Sequence, residues 1–396
     1  MSPLQDSPTV RPGTLIGLLL RNGLGGPAAI KRGRVTVPED VDWAALCAVS
    51  HRCRIAPVIY QCLRGSSLPV PPGVAAWFRA QYYEAVARHL ASLNELRELL
   101  GWFSEAGIPA VVLKGPALAQ LGLGAARIAH DLDVLIHHED LRRADAILVR
   151  HQYDAMPDPP HDFHRRYGRP APWGMRVLEV HFDITDRPRP YRPDIADIWE
   201  RSVVTTVFEV PARVPELGDH FLLTLMQLPH HHWAVRLIVD AWQVARRWST
   251  AIDWMGLLSR AAGWEMGVLT RSALHTMGTM FDVPIPAAVM AASSPSGYLE
   301  RVQWRIAREA VAEQLEYPFR PRLTWAAPFV MLDHPGGLPA VLIKRTLGAG
   351  GSPLESAARK TTRRTAATMA ALPALGKVFL ASLSPGPRRQ DGRGGR

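Results

Sequence analysis

The chain is short of cysteine, of long apolar runs and, toward its end, of acid. Its three cysteines, Cys47, Cys53 and Cys62, fall in one predicted helical region with no Cys-x-x-Cys or Cys-His spacing. They read as reduced core thiols of a cytoplasmic protein and leave no thiolate metal motif. Thr14 to Leu20 is apolar but too short to span a bilayer, and no cleavage site follows it. No other run reaches about eighteen apolar residues without a charge or a helix breaker, so neither export nor membrane insertion is expected. The formal charge is +10, yet residues 341–396 hold 11 basic and 2 acidic side chains while the rest of the chain holds 35 and 34. That balance argues against a basic face built to track a polynucleotide backbone. In the tail, Arg359, Lys360, Arg363 and Arg364 precede an alanine-rich stretch from Ala366 to Leu383 and a Pro/Gly/Arg end. It reads as a partly disordered basic tail whose candidate partners are an anionic membrane surface, nucleic acid or another protein.

What the chain does have is Asp131-Leu132-Asp133 at the front of the apolar run Val134-Leu135-Ile136. On a strand, positions i and i+2 share a face about 6 to 7 Å apart, so the two carboxylates repel unless a cation neutralises them. Upstream, Ile108 to Leu113 is a short β-type run that stops at Lys114-Gly115-Pro116 and passes into the helix-like Ala117 to Leu121. Strand, glycine turn and helix start together make a phosphate cradle. Downstream, alternation in Val177 to Ile184 places Glu179, His181 and Asp183 on one face and Leu178, Val180, Phe182 and Ile184 on the other. Glu179 or Asp183 then supplies a third acid. Three carboxylates facing a phosphate cradle are the parts of two-metal nucleotidyl transfer.

The order Lys114-Gly115, Arg127, Asp131-Leu132-Asp133 and Glu179-Val180-His181 resembles the uncharacterised bacterial nucleotidyltransferases of the DNA polymerase β-type superfamily. Asp42-Trp43, His51 and Ile55 to Val58 on one side, and His231-His232-Trp233 with Asp240 on the other, extend the resemblance over roughly residues 42 to 285. It implies an α/β (α+β) fold, with a small mixed β-sheet core flanked by N-terminal and C-terminal helical regions. It also implies an NTP donor and two Mg2+ ions. By position, Asp131 and Asp133 would ligate both metals, and Glu179 would ligate the catalytic one and help position an acceptor hydroxyl. Lys114 and the Gly115 backbone would hold the triphosphate, with Arg127 binding phosphate or pairing with Asp131. Many superfamily members carry Gly-Ser where this chain has Gly115-Pro116, so a hydroxyl contact to phosphate is lost. The expected reaction moves an NMP to a small-molecule or peptide acceptor of natural-product type with release of pyrophosphate. The alternatives are a weakly catalytic binding or scaffold module and a phosphoryl transferase.

Segmentally, residues 1–40 read as irregular, 41–107 as a helical region, 108–215 as the core, 216–320 as a helical domain and 321–396 as linker and tail. Val74 to Ala106 reads as one long helix or two abutting ones with Leu90, Leu93, Leu96, Leu99 and Leu100 on a core face, capped by Gly107. Pro157 to Trp173 reads as a loop whose Arg165 or Arg166 could reach a substrate, and Val203 to Val210 as one strand. The consecutive His230, His231 and His232 cannot converge on one ion from a helix, and Pro229 is expected to interrupt the helix there. One of these histidines is better placed to cap a helix or line an acceptor pocket, paired with Asp240.

Overall fold

Two apolar sets alternating along the central strands decide the architecture. In the computed structural model, which describes residues 11–23, 41–115, 131–156, 163–172, 174–185, 191–207, 210–321 and 323–324, β1 (Ala110–Leu113) is buried throughout. Its Val111 and Leu113 join one core and its Ala110 and Val112 another. In β2 (Asp131–Ile136), Leu135 faces the first core while Leu132, Val134 and Ile136 face the second. A strand covered on both faces reads as a continuous apolar run, as these do.

The remaining strands are β3 (Asp154–Ala155), β4 (His164–Ala171), β5 (Gly174–His181), β6 (Val203–Val207) and β7 (Val210–Val214). Together with β1 and β2 they form, among the described residues, one seven-stranded mixed sheet in the order β3-β4-β5-β2-β1-β7-β6. β2 lies antiparallel to β1 and parallel to β5, with Asp133 opposite Glu179. This is the mixed α/β sheet with flanking helices that the sequence leads one to expect.

Helices α1 (Pro12–Gly23), α2 (Trp43–Arg52) and α3 (Ala56–Arg64) precede α4 (Pro72–Glu105), a single helix of 34 residues. Pro72 suits the first turn of α4, and Gly107 at φ +66° ends it. The Gly107 and Ile108 N–H groups return to the Ser104 and Phe103 carbonyls. The C-terminal half of α4 and α5 (Leu141–Arg150) cover the second core. α6 (Ile195–Arg201) links the two halves of the sheet. α7 (Leu217–His230), α8 (Val235–Trp248), α9 (Trp254–Gly263), α10 (Gly267–Phe281), α11 (Ala287–Ala292) and α12 (Tyr298–Gln314) follow. Trp233, Trp242, Trp254 and Trp264 are buried among these helices.

Several expectations need correction. The segment expected to be irregular contains α1, whose Leu15, Ile16, Leu19 and Leu20 are buried in the same core as α2, α3 and α7 to α12. The N-terminal and C-terminal helices therefore share one core, because neither set covers its apolar face alone. Residues 164–171 are a strand rather than loop, since pairing with β5 satisfies a backbone that polar side chains had disguised. The single strand expected from Val203 to Val210 is instead two strands, β6 and β7. α7 continues through Pro229, near its last turn. Leu90 is 52% exposed, whereas Leu93, Leu96, Leu99 and Leu100 are buried. β5 stops at His181, so the alternation expected through Ile184 breaks and Ile184 enters the first core.

Candidate active site

The site forms where β1 and β2 run out at the same edge of the first core. Leu113 pairs with Asp133, so the residue after Leu113 turns directly over that carboxylate. That residue, Lys114, sits at φ +51°, a left-handed conformation that side-chain-bearing residues hold only when their surroundings impose it. Its ammonium donates to Asp133 Oδ1 and lies 3.9 Å from Glu179 Oε2.

Asp133 is 3% exposed. Burial alone would raise its pKa, but the Lys114 charge and the hydrogen bond from His181 outweigh it and hold the carboxyl well below the usual range. His181 Nε2 stands 3.1 Å from Asp133 Oδ1 and 3.5 Å from Glu179 Oε2. Burial pushes the imidazole pKa down, but these two carboxylates more than reverse that and leave it above its ordinary value. In Glu179 burial also opposes ionisation, and the His181 hydrogen bond with Lys114 overcomes it together with the repulsion from Asp133, so its pKa is lowered. Arg166 Nε adds a cation 3.7 Å from Glu179 Oε1.

Asp131 occupies the same face one pleat nearer solvent. Its pKa is raised, first by burial and then by the negative charges of Asp133 and Glu179, with Lys114 and Arg236 opposing. Asp133, Glu179 and His181 each offer one ligand atom, all within 4.8 Å of one another, as a metal-holding group would. The oxygens of Asp133 and Glu179 suit a hard divalent cation such as magnesium.

Of the residues singled out from sequence, the fold thus brings together Lys114, Asp131, Asp133, Glu179 and His181. Gly115 directly follows Lys114 at the end of β1. Arg127 lies outside the described residues. Asp183, the alternative third acid, falls beyond β5 and accepts from the Ile184 N–H at 2.7 Å. Between the two candidate arginines, register decides: Arg166 stands opposite Glu179, while Arg165 points to the other face and pairs with Asp145.

The sequence reading missed a cavity of about 540 Å³ beside Asp131, lined also by Arg52, Arg54, His231, Arg236 and Gln314. Among the described cavity residues, His231 and Asp131 carried a functional signal in sequence, while Cys53 read as a core thiol. The arginines come from segments whose overall charge is near zero, and they gather only through folding.

Comparison with known proteins now bears on this geometry. Residues 39–282 match the family described as uncharacterised nucleotidyltransferase. The chain belongs to that family. The match takes in β1, β2, β5 and the α7–α8 turn, hence every acid of the site. No curated protein matches the chain. Among solved structures, the chain is similar to the crystal structure of ANT(2″)-Ia in complex with adenylyl-2″-tobramycin. The two are 15% identical with a TM-score of 0.30, over 44% of this chain and 96% of the other. It is also similar to an antigenic nucleotidyltransferase-like protein from Paracoccidioides brasiliensis, 14% identical with a TM-score of 0.35, over 50% and 96%. At these scores the likeness is loose. Among the described residues no helix is long and apolar enough to cross a membrane.

Proposed function

We propose that this nucleotidyltransferase moves a nucleoside monophosphate from an NTP to a small-molecule or peptide acceptor, with magnesium and with release of pyrophosphate. The observation that carries the reading is the β2–β5 register, which sets Asp133 beside Glu179 under the Lys114 turn and leaves Asp131 one pleat away on the same face. Asp131 and Asp133 would hold two magnesium ions, with Glu179 on the catalytic one; the ions supply Lewis-acid stabilisation of charge on the phosphoryl oxygens. The donor set fits, because Asp133 and Glu179 offer oxygens within 4.8 Å of each other and of His181, and Asp131, whose pKa is raised first by burial and then by their charges, stands near enough to feel both.

The chain's own residues do the remaining work. Lys114, the Gly115 N–H and Arg127 bind the triphosphate, and Lys114 turns from Asp133 to phosphate when donor arrives. Arg166 and His181 hold the Glu179 carboxylate in place. The acceptor oxygen bonds to the α-phosphorus, the bond from that phosphorus to the bridging oxygen breaks, the acceptor proton leaves to water, and pyrophosphate departs.

The test is magnesium-dependent pyrophosphate release from each NTP by the natural protein and by Asp133→Ala, with candidate acceptors present. Release that vanishes in the variant supports the reading. Equal rates in both, zero included, overturn it for that donor, and appearance of a nucleoside diphosphate instead would make the reaction phosphoryl transfer.

A further inference from the structure

Resting on that reading, we propose that the cavity beside Asp131 is the acceptor subsite and that it selects an acceptor bearing an anionic group, a carboxylate or a phosphate, beside its nucleophile. The volume of about 540 Å³ is that of a metabolite site. Among the described residues its lining meets the carboxylate cluster at Asp131 alone and includes neither Lys114 nor Gly115, two of the three residues assigned to the donor. A molecule seated there presents one end to the metal-holding acids without displacing the triphosphate.

Charge sets what that molecule is. Among the described lining residues Arg52, Arg54 and Arg236 stand with one carboxylate, Asp131, and guanidinium stays charged at every physiological pH. His231 adds no proton: burial, then the charges of His230, Arg236 and Lys114, push its pKa down to about 3. The described lining therefore presents three guanidinium groups whose planar fork suits carboxylate or phosphate.

The walls are held in unusual backbone. Arg54 stands at φ +55°, and His232 and Trp233 at +53° and +56°. Three such residues are retained only where the surroundings over-determine them. For His232 and Trp233 Gln314 supplies that support: its Nε2 donates to their carbonyls at 3.2 and 3.0 Å, and its Oε1 accepts from the Val235 N–H at 3.3 Å. Arg52 in turn donates to the Gln314 and Glu316 carbonyls at 2.7 and 2.6 Å. Gln314 lies outside the residues matched to the family, 39–282. It acts as a positioning residue.

Calorimetric titration of the full chain with glycerol 3-phosphate, with glycerol as the uncharged control and inorganic phosphate as the bare anion, tests the proposal. MgATP is titrated in parallel. Glycerol 3-phosphate is expected to bind the natural protein where glycerol does not. Arg236→Gln and Arg54→Gln should each weaken it at least tenfold and leave MgATP affinity within twofold. Arg236→Lys, which retains charge, should recover part of the loss, which a merely misfolded variant would not. Gln314→Ala should weaken glycerol 3-phosphate with MgATP unchanged. Binding insensitive to both arginines, or competed away by MgATP, overturns the acceptor assignment while leaving the transfer reaction standing. MgATP binding indifferent to Asp133→Ala and Lys114→Met overturns the transfer reading itself.

Discussion

Lys114, directly after β1, places its ammonium on Asp133 of β2, so a residue in left-handed backbone neutralises the most buried acid of the site. Lys114→Met would leave Asp133 with His181 as its remaining partner. The variant is expected to lose about 1 to 3 kcal/mol of stability, less than a fully buried pair would, because the lysine is partly solvent-exposed. It should also gain more thermal stability from added magnesium than the natural protein does, since a divalent ion takes over the ammonium's role. Denaturant unfolding with and without magnesium measures both, and an unchanged midpoint in either comparison counts against this account.

His181 touches two acids at once and is buried beside them. Replacing it with Gln is expected to reduce apparent magnesium affinity about 10- to 100-fold, the usual loss when a group that orients ligands is removed. The reading is the magnesium concentration giving half-maximal pyrophosphate release. A fall in overall turnover with no change in that midpoint would show that His181 does not act on the carboxylates proposed to hold metal.

Two leucines on α4 that look alike in sequence should behave differently. Leu96→Ala removes a fully buried side chain from the second core and should cost about 2 to 5 kcal/mol. Leu90→Ala, at a half-exposed position, should stay within about 0.5 kcal/mol. Similar melting shifts for the two would mean that α4 is seated otherwise.

Glu300 near the start of α12 accepts from Arg271 and from the Ser296 N–H and hydroxyl at 2.9 and 2.7 Å. Burial opposes its ionisation, but these donors outweigh it and depress its pKa. A depressed carboxyl stabilises the fold above its unfolded pKa and loses that contribution as pH falls through the folded value. Glu300→Ala is therefore expected to cost about 1 to 2 kcal/mol at pH 7. The difference from the natural protein should shrink as pH drops below about 4.5, where the free carboxyl protonates. A gap that widens on acidification would refute the assignment.

Much of the geometry of the candidate site was legible because strand period is a local property. Asp131 and Asp133 share a face by alternation, as do Glu179 and His181 on their own strand, and Lys114-Gly115 marks the strand end whatever the rest of the chain does. The same rule misled beyond His181, where the chain leaves the sheet, and it failed for residues 164–171, whose His, Arg and Pro content hid a strand that exists through pairing with β5. Helix α1 escaped because a short apolar segment among prolines and glycines forms a helix only when a core is waiting to receive it.

By itself, then, the sequence determined which residues are acids at strand spacing, where the glycine turn falls, and that the chain can build a mixed sheet with helices. Tertiary structure alone decided that Glu179 rather than Asp183 joins Asp133, and that Arg166 rather than Arg165 meets Glu179. It alone brought Arg52, Arg54 and Arg236 around one cavity. The physical reason is that period and propensity are set by neighbours along the chain. Register and the gathering of like charges depend on which distant surfaces must be buried together, and net charge, an average over a segment, is blind to both.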